Sequence, residues 1–184
     1  MSTTTITTAP LPTGVWNFDL AHTEVTFVAR HLMVAKVRGR FPRLDGEIRV
    51  AEPLEDSSVE VTLATGDVTT GSPDRDAHIR SADFLDVERY PEMTFRSTAV
   101  RRVGDDYEID GDLTIKDVTR PVTLAVDFEG VTDDPWGGRR AGFSAKTTID
   151  RERWGLTWNV ALETGGVLVG KDIDIVIDVE AVQA

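Results

Sequence analysis

A chain of 184 residues with 40% hydrophobic side chains can bury one sizeable core, so one domain is expected and wholesale disorder is excluded. The chain contains no cysteine, which rules out disulfide scaffolds, thiolate catalysis and cysteine-ligated metals. Its formal net charge of -12 disfavours nucleic acid and anionic membrane as partners of the surface as a whole.

Residues Met1 to Gly14 are rich in Thr and Pro, with no Lys or Arg and no apolar core, so they do not read as a secretory signal. They are expected to form a flexible tail ahead of a domain over 15–184, and the polypeptide is expected to stay in the cytosol. No apolar run approaches the length of a transmembrane helix. Glu24 to Arg30 alternates, with Val25, Phe27 and Ala29 on one face. From Arg30 to Arg43 come five bases and no acid: Arg30, Lys36, Arg38, Arg40 and Arg43. If Lys36 to Phe41 is extended, Lys36, Arg38 and Arg40 share one face and Val37 and Phe41 the other. That run reads either as a solvated outer face or as a local anion site suited to a phosphate head group. Gly46 to Val50 and the Val59, Val61, Leu63 alternation give two further strands.

Asp74 to Pro91 breaks the pattern. Asp76, Ile79, Asp83 and Val87 recur at helical spacing, and Pro73 suits a helix start. The island holds Arg75, Asp76 and His78 together and is expected near one end of the fold. Strands resume at Met93-Thr94-Phe95, at Tyr107 to Ile115, at Val122 to Phe128 and at Gly142 to Ile149. Asp106 to Asp117 superficially resembles a calcium loop, but Tyr107, Ile109, Leu113 and Ile115 alternate as in a strand and neither flank is helical. Gly142-Phe-Ser144-Ala-Lys146 lacks the second glycine of a nucleophile elbow. Trp154, Leu156 and Trp158 alternate and are expected to line one face, with Gly155 allowing a bulge or close approach. Ile173, Ile175, Ile177 and Val179 form the last strand.

At least eight strands, turn signals such as Gly104-Asp105-Asp106 and Gly165-Gly166, and no long amphipathic helix exclude a parallel α/β sheet. The expectation is an all-β fold, a sandwich or, given the strand lengths, a closed antiparallel barrel. Eight strands enclose room for side chains or one small ligand, and small inward residues such as Ala29, Ala125 and Ala145 leave both a cavity and a filled core open. His22, His31 and His78 match no local metal-ligand spacing, which favours structural hydrogen bonding. No catalytic set, metal site or cofactor motif is found.

These residues resemble the YceI-like, polyisoprenoid-binding family, whose members have a lipocalin-like barrel. The resemblance runs from about Trp16 to Glu180. It is carried by Asp19-Leu-Ala-His22-Thr23-Glu-Val25-Thr-Phe27, His31, Gly39-Arg-Phe41 and Gly46, and by Thr70-Gly71 with Arg75-Asp76-Ala-His78-Ile79 and Asp83-Phe84-Leu85-Asp86. Tyr90-Pro91, Thr94-Phe95-Arg-Ser97, Gly111-Asp112-Leu113-Thr114-Ile115, Val118-Thr119-Arg-Pro121-Val122 and Ile149-Asp150-Arg151 with Trp154-Gly155 continue it. Each piece is weak alone; their joint order is specific. Two positions depart: Asp117 stands where the family usually has glycine, and Arg153 stands where it usually has an acid.

The resemblance implies an eight-stranded antiparallel lipocalin-like barrel with one or two short helical segments. It also implies an apolar tunnel for a polyprenyl chain, as in a prenyl quinone or prenyl phosphate, and a possible homodimer. Ligand contacts are expected from Phe27, His31, Phe41, His78, Phe84, Phe95, Leu124, Phe143, Trp154 and Trp158, with Arg38 and Arg40 at the head group. Two alternatives stand beside this non-enzymatic binder. One is an isoprenoid- or quinone-metabolising enzyme using Arg75, Asp76 and His78. The other is a stress-related interaction protein with a filled barrel.

Overall fold

The structure, a computed structural model, describes residues 10–184. Ten antiparallel strands are present: β1 (Gly14–Phe18), β2 (Glu24–His31), β3 (Ala35–Phe41), β4 (Leu44–Val50), β5 (Ser58–Ala64), β6 (Glu92–Val103), β7 (Asp106–Ile115), β8 (Val118–Asp133), β9 (Arg139–Asp150) and β10 (Val169–Gln183). One α-helix, α1 (Pro73–Arg80), interrupts them. Among the described residues, no helix is long and apolar enough to cross a membrane.

The ring β1-β4-β5-β6-β7-β8-β9-β10 closes through β1–β10 pairing, so the chain forms a closed eight-stranded barrel. The two extra strands are continuations. β2 follows β1 along β10, and β3 precedes β4 beside them, so two barrel staves are each broken in the middle. The longest staves, β8 with 16 residues and β10 with 15, span about 50 Å each at roughly 3.4 Å per residue. The usual barrel tilt reduces that to a height of roughly 35–40 Å.

At one end, here the α1 end, lie the β2–β3 hairpin, α1 with the turns after it, the β7–β8 turn and residues 151–168. At the other lie Pro10 to Thr13, the β4–β5, β6–β7 and β8–β9 turns and the C-terminus. Of the expected tail, residues 1–9 lie outside the described residues. Pro12 accepts a hydrogen bond from Trp16 Nε1 (3.0 Å), Thr13 accepts one from Gln183 Nε2 (3.1 Å), and Gly14 opens β1.

Local chemistry explains the elements. Pro73 occupies the first turn of α1, and Asp74 and Asp76 sit where the helix dipole favours acids. The helix is shorter than the spacing through Val87 implies. Ser81 leaves the helical region and its hydroxyl donates to His78 O (2.6 Å), ending the helix there. The β2–β3 connection is residues 32–34, a turn closed by Val34 N donating to His31 O, in which Leu32 and Met33 both adopt left-handed conformations, with φ of 51° and 64°. Such turns favour Asn and Gly; apolar side chains there cost about 1–2 kcal/mol per residue.

Candidate functional site

Alternation places one face of every stave inside the barrel. The interior is not filled. A cavity of about 880 Å³ runs between the ends, large for a small-molecule site. Its wall is aliphatic and aromatic: Val25 and Phe27 from β2, Phe95 from β6, Leu124 from β8, Phe143 from β9 and Ile175 from β10 are among its lining. Several of these side chains are only half-buried although they point inward, because the space they face is empty. Small inward residues help to leave that space. Ala29 and Ala145 line it, and Gly39 lies under the Phe27 ring, where a Cβ would come within 2.2 Å of a ring carbon. Ala125, by contrast, faces outward.

The charged lining concentrates at the α1 end, where Arg30, Asp74, Arg75 and Arg151 reach the cavity with His31 and His78; Glu52 and Arg102 line the other end. His78 projects from α1. Its Nε2 lies 2.8 Å from Asp83 Oδ2, and its ring meets Trp158 (4.4 Å) and Phe84 (5.1 Å) edge-on. Arg151 is buried and, among the described residues, has no carboxylate partner. It donates to the carbonyl oxygens of Gly170 (3.0 Å), Leu156 and Val169 (3.3 Å), and its guanidinium stands 5.8 Å from the Phe84 ring centre. Burial pushes that guanidinium down from its ordinary value, opposed by Glu152 and Asp150.

The rest of the island staples the end shut on one side. Asp76 is buried but does not line the cavity. Its carboxylate accepts from Thr70 N (2.7 Å), Thr70 Oγ1 (2.5 Å) and Thr69 Oγ1 (3.1 Å). Burial alone would raise this carboxyl; the Thr70 and Thr69 donors and nearby Arg80 outweigh it and hold it below the usual range. Arg75 donates to Thr70 Oγ1 (2.8 Å) and Thr70 O (3.1 Å), and Arg80 to Gly66 O (2.7 Å) and Val68 O (2.8 Å). Both side chains therefore brace the 66–70 segment.

Of the residues the sequence nominates, Phe27, His31, Phe41, His78, Phe84, Phe95, Leu124, Phe143 and Trp158 all border the cavity. Trp154 and Trp158 do not share a face. Arg151–Trp154 is a 3-10 turn ended by left-handed Gly155 (φ 77°), which breaks the alternation. Trp154 is consequently a buried plug whose Nε1 donates to Leu113 O (2.9 Å). Arg38 and Arg40 lie on the outer face of β3, away from the cavity. Arg151 and Arg30 also line the cavity, and the sequence marks neither for it: Arg151 stands in the charged run Asp150-Arg151-Glu152-Arg153, and Arg30 opens the basic run that reads as an outer face.

A second cluster of ligand-type groups, Asp19, His22 and Glu180, lies on the barrel flank. Its centre belongs to Arg140, which donates to Asp19 (2.5 Å), Asp134 (2.5 Å) and Glu180.

Comparison with known proteins agrees with this geometry. The model of the YceI-like domain matches residues 16–181. Protein YceI of Escherichia coli O17:K52:H18 is 42% identical over 164 residues, spanning 88% of this chain and 82% of that protein; the Salmonella newport protein of the same name is 39% identical over the same spans. Among solved structures, Campylobacter jejuni YceI superposes with a TM-score of 0.72 at 25% identity, covering 100% of this chain and 99% of that one. A polyisoprenoid binding domain from Saccharophagus degradans, implicated in plant cell wall breakdown, shares the fold with a TM-score of 0.66 at 14% identity over 94% of this chain and all of that one. In sequence and in barrel architecture alike, the chain belongs to the YceI-like family.

Proposed function

We propose that the protein binds and carries a long-chain polyisoprenoid, the tail of a prenyl quinone or prenyl phosphate, without altering it chemically. The observation that carries this reading is the apolar cavity of about 880 Å³ between the barrel ends. Burying each methylene-sized group of such a tail contributes about 0.8 kcal/mol, and a barrel offers that surface without an open sheet edge. In this reading Phe27, Phe41, Phe95, Leu124 and Phe143 hold the tail. The head group lies at the α1 end beside His31, His78, Phe84 and Trp158, where Arg30, Arg75 and Arg151 outnumber the one acid, Asp74. Trp154 supports that end from the core. Arg38 and Arg40 act on an anionic head only through their field, because they stand on the outer face.

Less supports turnover. Asp76 spends its acceptors on Thr69 and Thr70 and does not reach the cavity, so it has no geometry for acid–base work on a bound lipid. Native mass spectrometry of protein purified from its own host tests the binding reading. The expected result is a co-purifying mass that matches a prenyl lipid. Apoprotein that also takes up no prenyl quinone or prenyl phosphate on incubation overturns it.

A further inference from the structure

The tip of the β2–β3 hairpin carries three adjacent apolar side chains into water. Leu32, Met33 and Val34 are 42%, 59% and 81% exposed. Two of them occupy left-handed positions where Asn-Gly would sit without strain. A turn that keeps Leu and Met at such positions spends stability on presenting them, and strain of this kind collects at functional surfaces. The tip is not a loose loop. Val34 N donates to His31 O (3.2 Å) and Leu32 N to Leu168 O (2.9 Å). The neighbouring 160–168 segment folds back on itself through an Ala161–Val167 bridge and adds exposed Val160.

Charge around the tip has a definite sign. Arg30 and Lys36 face each other across the hairpin, and Arg38 follows on the same strand as Lys36. Among the described residues, none of these three has a carboxylate partner. Arg40 and Arg43, farther from the tip, are paired with Glu24 (3.4 Å) and Asp67 (2.7 Å). Glu163 is the one acid in residues 155–171. The cations nearest the apolar tip are thus the free ones, in a chain of net charge -12.

We propose that this tip docks the protein on an anionic lipid bilayer, with the α1 end of the cavity against the lipid. Apolar side chains flanked by Lys and Arg suit the headgroup–acyl boundary of such a surface. A second copy of the chain fits poorly. Three side chains on a convex turn cannot supply the roughly 800 Å² per partner of a stable interface, and the basic flanks would repel each other. The overall acidity does not forbid docking. At about 0.1 M salt the Debye length is about 10 Å, so acids farther than that from the tip are largely screened; the α1 end carries acids of its own on α1 and the turns after it, of which Asp83 faces His78 and Asp86 faces Arg89. Docking also sets the cavity beside the membrane, because Arg30, His31, Trp158 and Leu168 border both it and the tip region. This goes beyond the carrier reading, and its test uses vesicles without isoprenoid, so its failure leaves that reading standing.

The test is flotation of the full chain with vesicles of phosphatidylcholine, alone or mixed with phosphatidylglycerol, in about 0.1 M salt. Wild type is expected to float with the anionic vesicles only, and to be released as salt rises. Leu32→Asn/Met33→Gly should bind about tenfold more weakly, having lost two apolar anchors, and should melt at a higher temperature because the turn strain is relieved. That opposite-sign pair separates a docking tip from a merely structural one. Lys36→Gln/Arg38→Gln should abolish the preference for anionic vesicles. Three results would overturn the proposal: no wild-type flotation with anionic vesicles, wild-type-like flotation by the Asn-Gly variant, or self-association without vesicles that this variant abolishes.

Discussion

Both ends of the barrel expose apolar side chains, yet the charges beside those side chains differ. At the α1 end, Leu32, Met33 and Val34 stand beside Arg30, Lys36 and Arg38, which have no carboxylate partner among the described residues. At the far end, Trp136 is 90% exposed beside Asp133 and Asp134, which pair with Arg139 and Arg140, and the neighbouring turns add Glu52, Glu55 and Asp56 together with Asp105, which faces Arg102. Exposure of an apolar residue is ordinary on protein surfaces. The sign of the charge around it decides which surface it can approach. The interior is also uneven, with three arginines, two histidines and one acid, Asp74, lining the α1 end against Glu52 and Arg102 at the other. The two ends are also braced differently: by Asp76 on threonine donors at one, and by Arg140 among carboxylates toward the other.

The most damaging change for the carrier reading lies between the ends. Ala145 faces the cavity from β9, between Phe143 and Thr147. Ala145→Trp should leave the barrel folded, since the new ring enters existing space. It should cut the path of the tail, and denying about four methylene-sized positions at about 0.8 kcal/mol each weakens binding more than a hundredfold. Titration with a fluorescent polyene lipid measures this. Unchanged affinity in the variant would place the ligand outside the tunnel.

A smaller effect, confined to the α1 end, is expected from Asp76→Asn. The carboxylate accepts three hydrogen bonds, two from Thr70 at Oδ1 and one from Thr69 at Oδ2; an amide keeps one oxygen for the Thr70 donors, loses the charge and turns its NH2 toward the Thr69 hydroxyl. Loss of a buried charge-assisted network of this size costs about 2 kcal/mol, or about 4–8 °C in melting temperature for a domain this long. Calorimetry checks it. Lipid affinity should fall by much less than in Ala145→Trp, because Asp76 does not touch the cavity. A variant that melts like wild type yet loses a measurable turnover would instead make Asp76 a chemical group.

The sequence makes the staves legible because alternation is a local signal. Phe27, Phe95, Leu124 and Phe143 point inward as their parity predicts. The island is legible too, since Pro73 and the 3.6-residue spacing precede any tertiary contact. What stays hidden is set by distant partners. Whether the interior is hollow depends on how eight staves share their inward volume, and parity says nothing about that. The broken staves escape notice because the break lies between β1 and β2 and is defined by pairing with β10, some 150 residues on. Trp154 and Trp158 look equivalent by spacing and part company only because Gly155 turns left-handed. The hairpin turn at Leu32-Met33 carries none of the Gly, Asn or Asp that mark such turns.

The subtlest expected effect concerns the far-end brace and acid. Arg140, and secondarily His22, hold the Asp19 carboxyl down at about 2, from an ordinary 3.8. Asp134 is held low as well, chiefly by the Trp136 backbone N–H and then by Arg140. A carboxyl depressed in the folded state adds stability that is full above its unfolded value. That stability is lost as pH falls through the folded value, here between about pH 4 and about pH 2. Because Asp19 remains partly open to water, its share is about 1 kcal/mol, or about 2–4 °C. Arg140→Met removes the cation that lowers both groups. Wild type should therefore melt above the variant at pH 6, and the gap should narrow by pH 2.5 as the carboxylates take up protons. Asp76 titrates in both proteins and cancels from the difference, so the narrowing reports the far end alone. A gap of constant size across that range would mean that Arg140 braces the barrel by packing, with its charge irrelevant.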